Sequence, residues 1–237
     1  MTKSKRLISI VLVVLFTAVA VFLGFLFFKI IPDAVNQREL KLKVKQYFDN
    51  KLTIYEQENA KYGDYEIDVA FLGDSLTDGY DLEKYYPEYK TANRGIGGDT
   101  TFGLESRLKV SVYDLKPKVA VMLIGANNMD SMFDNYEEIL KGFKNNLPNT
   151  KIVLLSLTAM GGEFWGVKNQ LACYNNVKIK KLASEYGYEF VDLYTPLFDA
   201  RKGEVYDGLT VDGGHFTHEG YLVVTAQIKP VLERLLN

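Results

Sequence analysis

The chain has 237 residues, 24% of them charged and 47% hydrophobic, with a formal net charge of −2. This composition excludes a disordered chain, and the lack of a basic excess argues against a nucleic-acid footprint. The single cysteine, Cys173, rules out an intrachain disulfide, which fits a reducing compartment or an exported protein that does not rely on disulfides.

The N-terminus begins MTKSKR and continues as LISIVLVVLFTAVAVFLGFLFF, 22 residues without a charge. As a helix that run is about 33 Å long, enough for a hydrocarbon core of about 30 Å. A cleaved signal peptide would have a shorter apolar region ending in small residues. Ala18-Val19-Ala20 offers such a signature, but the apolar run continues past it to Phe28. The expectation is therefore an uncleaved signal anchor over residues 7–31, preceded by a cytoplasmic N-terminus of residues 1–6. The basic residues Lys3, Lys5 and Arg6 just before the apolar run favour export of the downstream chain, so the bulk of the protein is expected outside the cytoplasm.

Residues 32–62 are expected to form a juxtamembrane helix after Pro32. The stretch from 33 to about 61 lacks Gly and Pro and spaces Leu40, Val44, Phe48, Leu52 and Tyr55 by three and four. Residues 63–237 form the main domain. EIDVAFLG, PKVAVMLIG, TKIVLLSL and YEFVDLY read as buried strands, and KTANRG as a weaker one. Helical patterns lie at about 100–110, 131–146, 167–186 and from 217 to the end. Continuous apolar strands separated by helices indicate a parallel sheet covered on both faces, a three-layer α/β domain.

Reactive groups in such sheets gather at the carboxyl ends of the strands. Those ends carry Gly73-Asp74-Ser75, Asn93-Arg94-Gly95-Ile96-Gly97-Gly98-Asp99 and Gly125-Ala126-Asn127-Asn128, while Asp212-Gly213-Gly214-His215 precedes the last helix. A serine hydroxyl needs a base, and Ser75 sits at a strand-to-helix turn. His215 is the expected base. Asp212, three residues earlier, is placed to accept from its Nδ1–H and leave Nε2 toward the serine. Ser75 N–H, Gly98 N–H and the Asn127 amide are the expected oxyanion donors. His215 and His218 are the only histidines. His218, next to the helix cap Thr217, is expected to face solvent, and with no third Cys or His available no metal site is expected. Asp74 and Asp78 read as turn residues, and Asp99 or Thr100 as a helix cap. Arg94 either steers an anionic substrate or makes a surface ion pair. Trp165 either walls the substrate pocket or packs between loop and helix, and is carried as a candidate substrate-binding residue.

FLGDSLTDG, NRGIGGDTT, LIGANN and DGGHFTHEGY resemble, in order, the four sequence blocks of the SGNH/GDSL hydrolases. The resemblance spans about residues 66–237 and departs in having Asn128 where Asp is common. It implies a flavodoxin-like fold with a five-stranded parallel sheet, Ser75 as nucleophile, His215 and Asp212 as base and partner, and Gly98 and Asn127 as oxyanion donors. It also implies hydrolysis of esters or thioesters without a cofactor. With an extracytoplasmic anchor, the expected substrates are small-molecule, glycan or lipid esters, surface O-acetyl groups foremost. Lysophospholipid or thioester cleavage, or acyl transfer by the same triad, are the rivals.

Overall fold

The computed structural model describes residues 31–237 together with Phe22, Phe25 and Lys29. The membrane-spanning reading of residues 7–31, like the N-terminal segment 1–6, falls outside the described residues, apart from Phe22, Phe25, Lys29 and Ile31. Among the described residues no helix is long and apolar enough to cross a membrane. The chain divides into two compact units, Met1–Asn50 and Lys51–Asn237.

Helix α1 (Ile31–Asn59) begins in the first unit and ends in the second. In the first unit its apolar residues Leu40 and Val44 are exposed, and Lys45 pairs with Asp49 one turn on at 2.5 Å. In the second unit Tyr55 is buried. The segment is helical, as its apolar spacing predicts, but spacing alone does not bury a side chain. Burial needs a partner surface, which Tyr55 has at Gly95, the last residue of the second strand.

The second unit is built on a five-stranded sheet with the order β2-β1-β3-β4-β5. The strands are β1 (Val69–Gly73), β2 (Thr91–Gly95), β3 (Val119–Leu123), β4 (Lys151–Leu155) and β5 (Glu189–Val191). All neighbouring pairs are parallel. Every residue of β1 and β3 is buried, which is why their sequences are continuous apolar runs and not alternating ones. The polar β2 is an edge strand paired only with β1, so TANRG forms a strand by borrowing a register and not by its own propensity.

The connecting helices are α2 (Ser75–Asp78), α3 (Thr101–Ser106), α4 (Tyr136–Asn146), α5 (Asn169–Tyr186) and α6 (His218–Leu236). α4 buries Tyr136, Ile139, Leu140 and Phe143, an apolar stripe at helical spacing. α5 stops at Gly187, which takes a left-handed cap at φ 70°. Thr100, not Asp99, caps α3, and Thr217 caps α6, each side chain accepting a backbone N–H. Right-handed crossovers place the β1–β2 connection and α6 on one face and α3, α4 and α5 on the other. On the first face Tyr80 stacks on Tyr221 of α6 at 4.7 Å between ring centroids. On the other, Tyr188 beyond α5 donates to the Leu140 carbonyl of α4. A short antiparallel pair, Phe198–Asp199 with Glu204–Val205, has no counterpart among the strands expected from the sequence.

Candidate active site

In this strand order the chain reverses direction across the sheet between β1 and β3, and ligands of such folds bind above that point, at the carboxyl ends. Ser75 follows β1 and Asn127 follows β3. The backbone turns sharply after Gly73, and Asp74 caps the one-turn helix α2 by accepting from Leu76 N–H at 3.1 Å. Tyr221 of α6 donates to the Leu76 carbonyl at 2.9 Å and fixes the turn from the other side.

Ser75 Oγ lies 2.9 Å from His215 Nε2, across 140 residues of chain. His215 Nδ1 lies 2.7 Å from Asp212 Oδ2. Asp212 Oδ1 accepts from the backbone N–H groups of Gly214 and His215 at 2.9 and 2.8 Å. Partial desolvation pushes the Asp212 carboxyl up. The hydrogen bonds from His215 N–H, the imidazole and Gly214 N–H outweigh it and hold the group down at about 2. A permanently ionised carboxylate on Nδ1 selects the tautomer that leaves Nε2 free to accept the Ser75 proton.

The loop that carries this pair is shaped by Gly213. Its φ is 88°, and a Cβ there would meet the Gly161 carbonyl oxygen at 1.9 Å. Gly161 N–H donates to the Gly213 carbonyl at 2.8 Å, so the 161–168 segment and the histidine loop are joined backbone to backbone. Trp165 then lies against Gly214, with its ring edge-on to the His215 imidazole at 6.0 Å. Asp74, Ser75, Leu76, Ala126, Asn127, Thr158, Met160, Trp165, Gly214 and His215 line one cleft.

Ser75, Asn127, His215 and Trp165 are therefore brought together, and Asp212 stands behind His215. Gly98 belongs to the loop after β2, with φ 77° and open space where a side chain would project. Among the described residues no acceptor is paired with its N–H. The Asn127 amide donates to the carbonyl of Asp99 at 2.8 Å, which ties Asn127 to the residue that follows Gly98. Asn128 is held away from the cleft, bonded to Thr101 through both its amide oxygen and nitrogen.

Several polar residues behave differently from their sequence reading. Arg94 neither steers a ligand nor sits at the surface: it is fully buried, paired with Glu58 and Asn59 of α1. His218 is exposed as expected but not free, because its Nδ1 meets Tyr85 Oη at 2.6 Å and Lys84 Nζ at 3.1 Å. Asp74 is more than a turn residue. It is 1% exposed and lines the cleft, and its Oδ2 is buried without a hydrogen-bond partner among the described residues. Burial pushes its carboxyl up to about 7. The Leu76 N–H and the His215 charge oppose that, and Asp99 adds to it. Nothing in the string GDSL signals it, because burial of that oxygen depends on the loops packed above it. Arg107, also unmarked in the sequence, donates to Asp99 Oδ2, to the Arg94 carbonyl and to the Gly73 carbonyl, and so joins the ends of β1 and β2 to the loop after β2. Among the described residues no cluster of His, Cys, Asp and Glu is arranged to hold a metal ion.

The profile of the GDSL-like Lipase/Acylhydrolase family matches residues 71–223, more than half of the chain. The protein belongs to that family. It is accordingly a carboxylic ester hydrolase. Among solved structures, a Streptococcus pneumonia protein described as a candidate platelet activating factor superposes with a TM-score of 0.75 at 25% identity, over 84% of this chain and 99% of its own. A GDSL-like lipase from Bacteroides thetaiotaomicron gives 0.68 at 26% identity, over 77% and 97%. An acetylxylan esterase from Geobacillus stearothermophilus shares the fold, with a TM-score of 0.57 at 22% identity over 71% and 95%. No curated protein is a significant match in sequence. The GDSL match begins at Phe71, so α1 lies wholly outside it.

Proposed function

We propose that this GDSL hydrolase is a membrane-anchored, extracytoplasmic serine esterase that removes small acyl groups, O-acetyl groups of surface glycans foremost. The observation that carries the reading is the hydrogen-bonded chain Asp212–His215–Ser75 opening into a narrow cleft. Ser75 Oγ attacks the ester carbonyl as His215 Nε2 takes its proton. The oxyanion is met by the N–H groups of Ser75 and Gly98 and by the Asn127 amide. His215 then protonates the departing alcohol, and water attacks the acyl-enzyme by the same route in reverse. Trp165 forms the wall facing the serine. Its nearness to His215 supports a role in limiting the acyl group or seating a sugar ring. The 22-residue uncharged run near the N-terminus supports the anchor; basic residues flank it on both sides, and the compact basic stretch directly before it, with a large domain after it, supports the outward orientation. A fold-mate that acts on acetylxylan is consistent with an acetylated glycan.

A second reading, cleavage of lysophospholipids or other lipid esters in the same membrane, is favoured by one observation. Phe164, Val167 and Val211, on the two segments that frame the histidine side of the cleft, are strongly exposed apolar residues. Hydrolysis of p-nitrophenyl esters from acetyl to palmitoyl, beside Ser75→Ala, tests both readings. Preference for acetyl with an inactive Ser75→Ala supports the deacetylase. Preference for long chains moves the lipid reading to first place. Equal turnover by Ser75→Ala and wild type would refute both.

A further inference from the structure

The last turns of α1, residues Lys51–Asn59, precede the matched region yet contact the end of β2 directly and the loop after it through Asp78. Tyr55 is 2% exposed, and its hydroxyl donates to the Gly95 carbonyl at 2.6 Å. Lys51 Nζ pairs with Asp78 Oδ1 at 2.5 Å, and the other oxygen of that carboxylate accepts from Gly97 N–H at 3.1 Å. The Arg94 guanidinium lies 4.7 Å over the Tyr55 ring and donates to Glu58 and Asn59. Gly95 and Gly97 are thus both held from the helix, one directly and one through Asp78, and the next residue is Gly98. On its far side Asp99 is clamped by Arg107 and Asn127.

We propose that the end of α1 is a positioning element for the oxyanion loop, with Lys51 and Tyr55 as positioning residues that set the Gly98 N–H. This rests on the reading of Gly98 and Asn127 as oxyanion donors. Donors of this kind accelerate a reaction by being fixed before charge develops, so a loop that drifts by about 1 Å loses transition-state stabilisation without losing substrate affinity. A helix serving only to buttress the fold would instead change stability and the fraction of active molecules.

The test uses the full-length protein in detergent, with Tyr55→Phe, Lys51→Met, Lys51→Arg and Asn127→Ala. It measures kcat and KM for the best p-nitrophenyl ester and Ki for an aryl boronic acid, whose tetrahedral serine adduct occupies the oxyanion site. Tyr55→Phe and Lys51→Met are each expected to lower kcat by about tenfold with KM within about twofold, and to raise Ki by the same factor. Lys51→Arg, which keeps the pair with Asp78, should stay near wild type. Ki does not depend on the fraction of active molecules, so a fall in kcat with unchanged Ki overturns the proposal in favour of a buttress. Wild-type kcat in Tyr55→Phe and Lys51→Met, while Asn127→Ala loses activity, overturns the positioning role alone. Wild-type activity and Ki in Asn127→Ala removes the oxyanion reading and the proposal with it.

Discussion

The two walls of the cleft are built in different ways. The wall that carries Ser75 and Asn127 stands on the ends of the buried strands β1 and β3, with Gly98 in the adjoining loop after the edge strand β2. Beneath it lie charged and polar groups with almost no exposure: Arg94, Asp99, Thr101 and Arg107. The facing wall, Trp165, Gly214 and His215, belongs to two segments joined through Gly161 and Gly213, which also carry Phe164 at 68%, Val167 at 77% and Val211 at 72% exposure. A buried network has few arrangements that satisfy all its members, so it holds reacting atoms in place. An exposed loop wall can change its surface at little cost to the fold. The first wall suits the chemistry common to the family, and the second suits the choice of ester.

If that division holds, the largest effects should come from the chemical pieces. Ser75→Ala should lower kcat by at least about 10⁴-fold, measured on the best p-nitrophenyl ester. Asp212→Asn, which disturbs the tautomer of His215, should cost about 10³–10⁴-fold; a loss under tenfold would mean that the carboxylate does not orient the base. Arg107→Met leaves the Asp99 carboxylate buried without its ion pair at 2.7 Å. It should destabilise the fold by about 3–5 kcal/mol in urea unfolding. Retained stability would show that the first wall does not depend on its buried network.

The pH dependence separates the two walls further. Asp212 is held at about 2 against an ordinary 3.8, so it contributes stability above pH 4 that is lost as pH falls toward 2. Asp74 is pushed up to about 7, so the unfolded chain releases that proton first. Its contribution to stability therefore falls as pH rises from about 4 to about 7, then levels off. Urea midpoints between pH 4 and 8 should lose that downward component in Asp74→Asn, and an identical slope in the variant would contradict the buried, partnerless carboxyl. The smallest effects belong to the second wall. Trp165→Ala should change KM and acyl-chain preference by about three- to tenfold with a smaller change in kcat on acetyl esters. Val211→Ser should leave acetyl hydrolysis within about twofold. A large kcat loss in Val211→Ser would erase the distinction between the walls.

Much of the fold was legible because the patterns are local. β1, β3 and β4 announce themselves as short apolar runs, since a strand covered on both faces has no polar side. The stretches 131–146 and 167–186 carry helical spacing, and α4 and α5 lie within them. KTANRG was faint because an edge strand draws its structure from β1 and carries little signal of its own. The hydrogen-bonded arrangement of Ser75, His215 and Asp212 was legible for a related reason: each lies in a short motif at a strand end or helix start, where the backbone geometry is nearly set by the residues themselves.

What the amino-acid order determined by itself was the strand-and-helix alternation, the four loops that carry polar groups, and the three-residue link between Asp212 and His215. What only the tertiary structure decided was which polar groups are buried and whom they meet. Arg94 faces Glu58 across 36 residues, and Tyr55 meets Gly95 across 40. Asp74 has one oxygen buried without a partner among the described residues, in a cleft it lines together with residues distant in sequence. Periodicity reports which face of an element is apolar, a property of neighbours a few positions apart. Desolvation and hydrogen bonding of a single carboxyl or guanidinium depend on surfaces brought together by closure of the whole sheet, and they carry no local pattern to read.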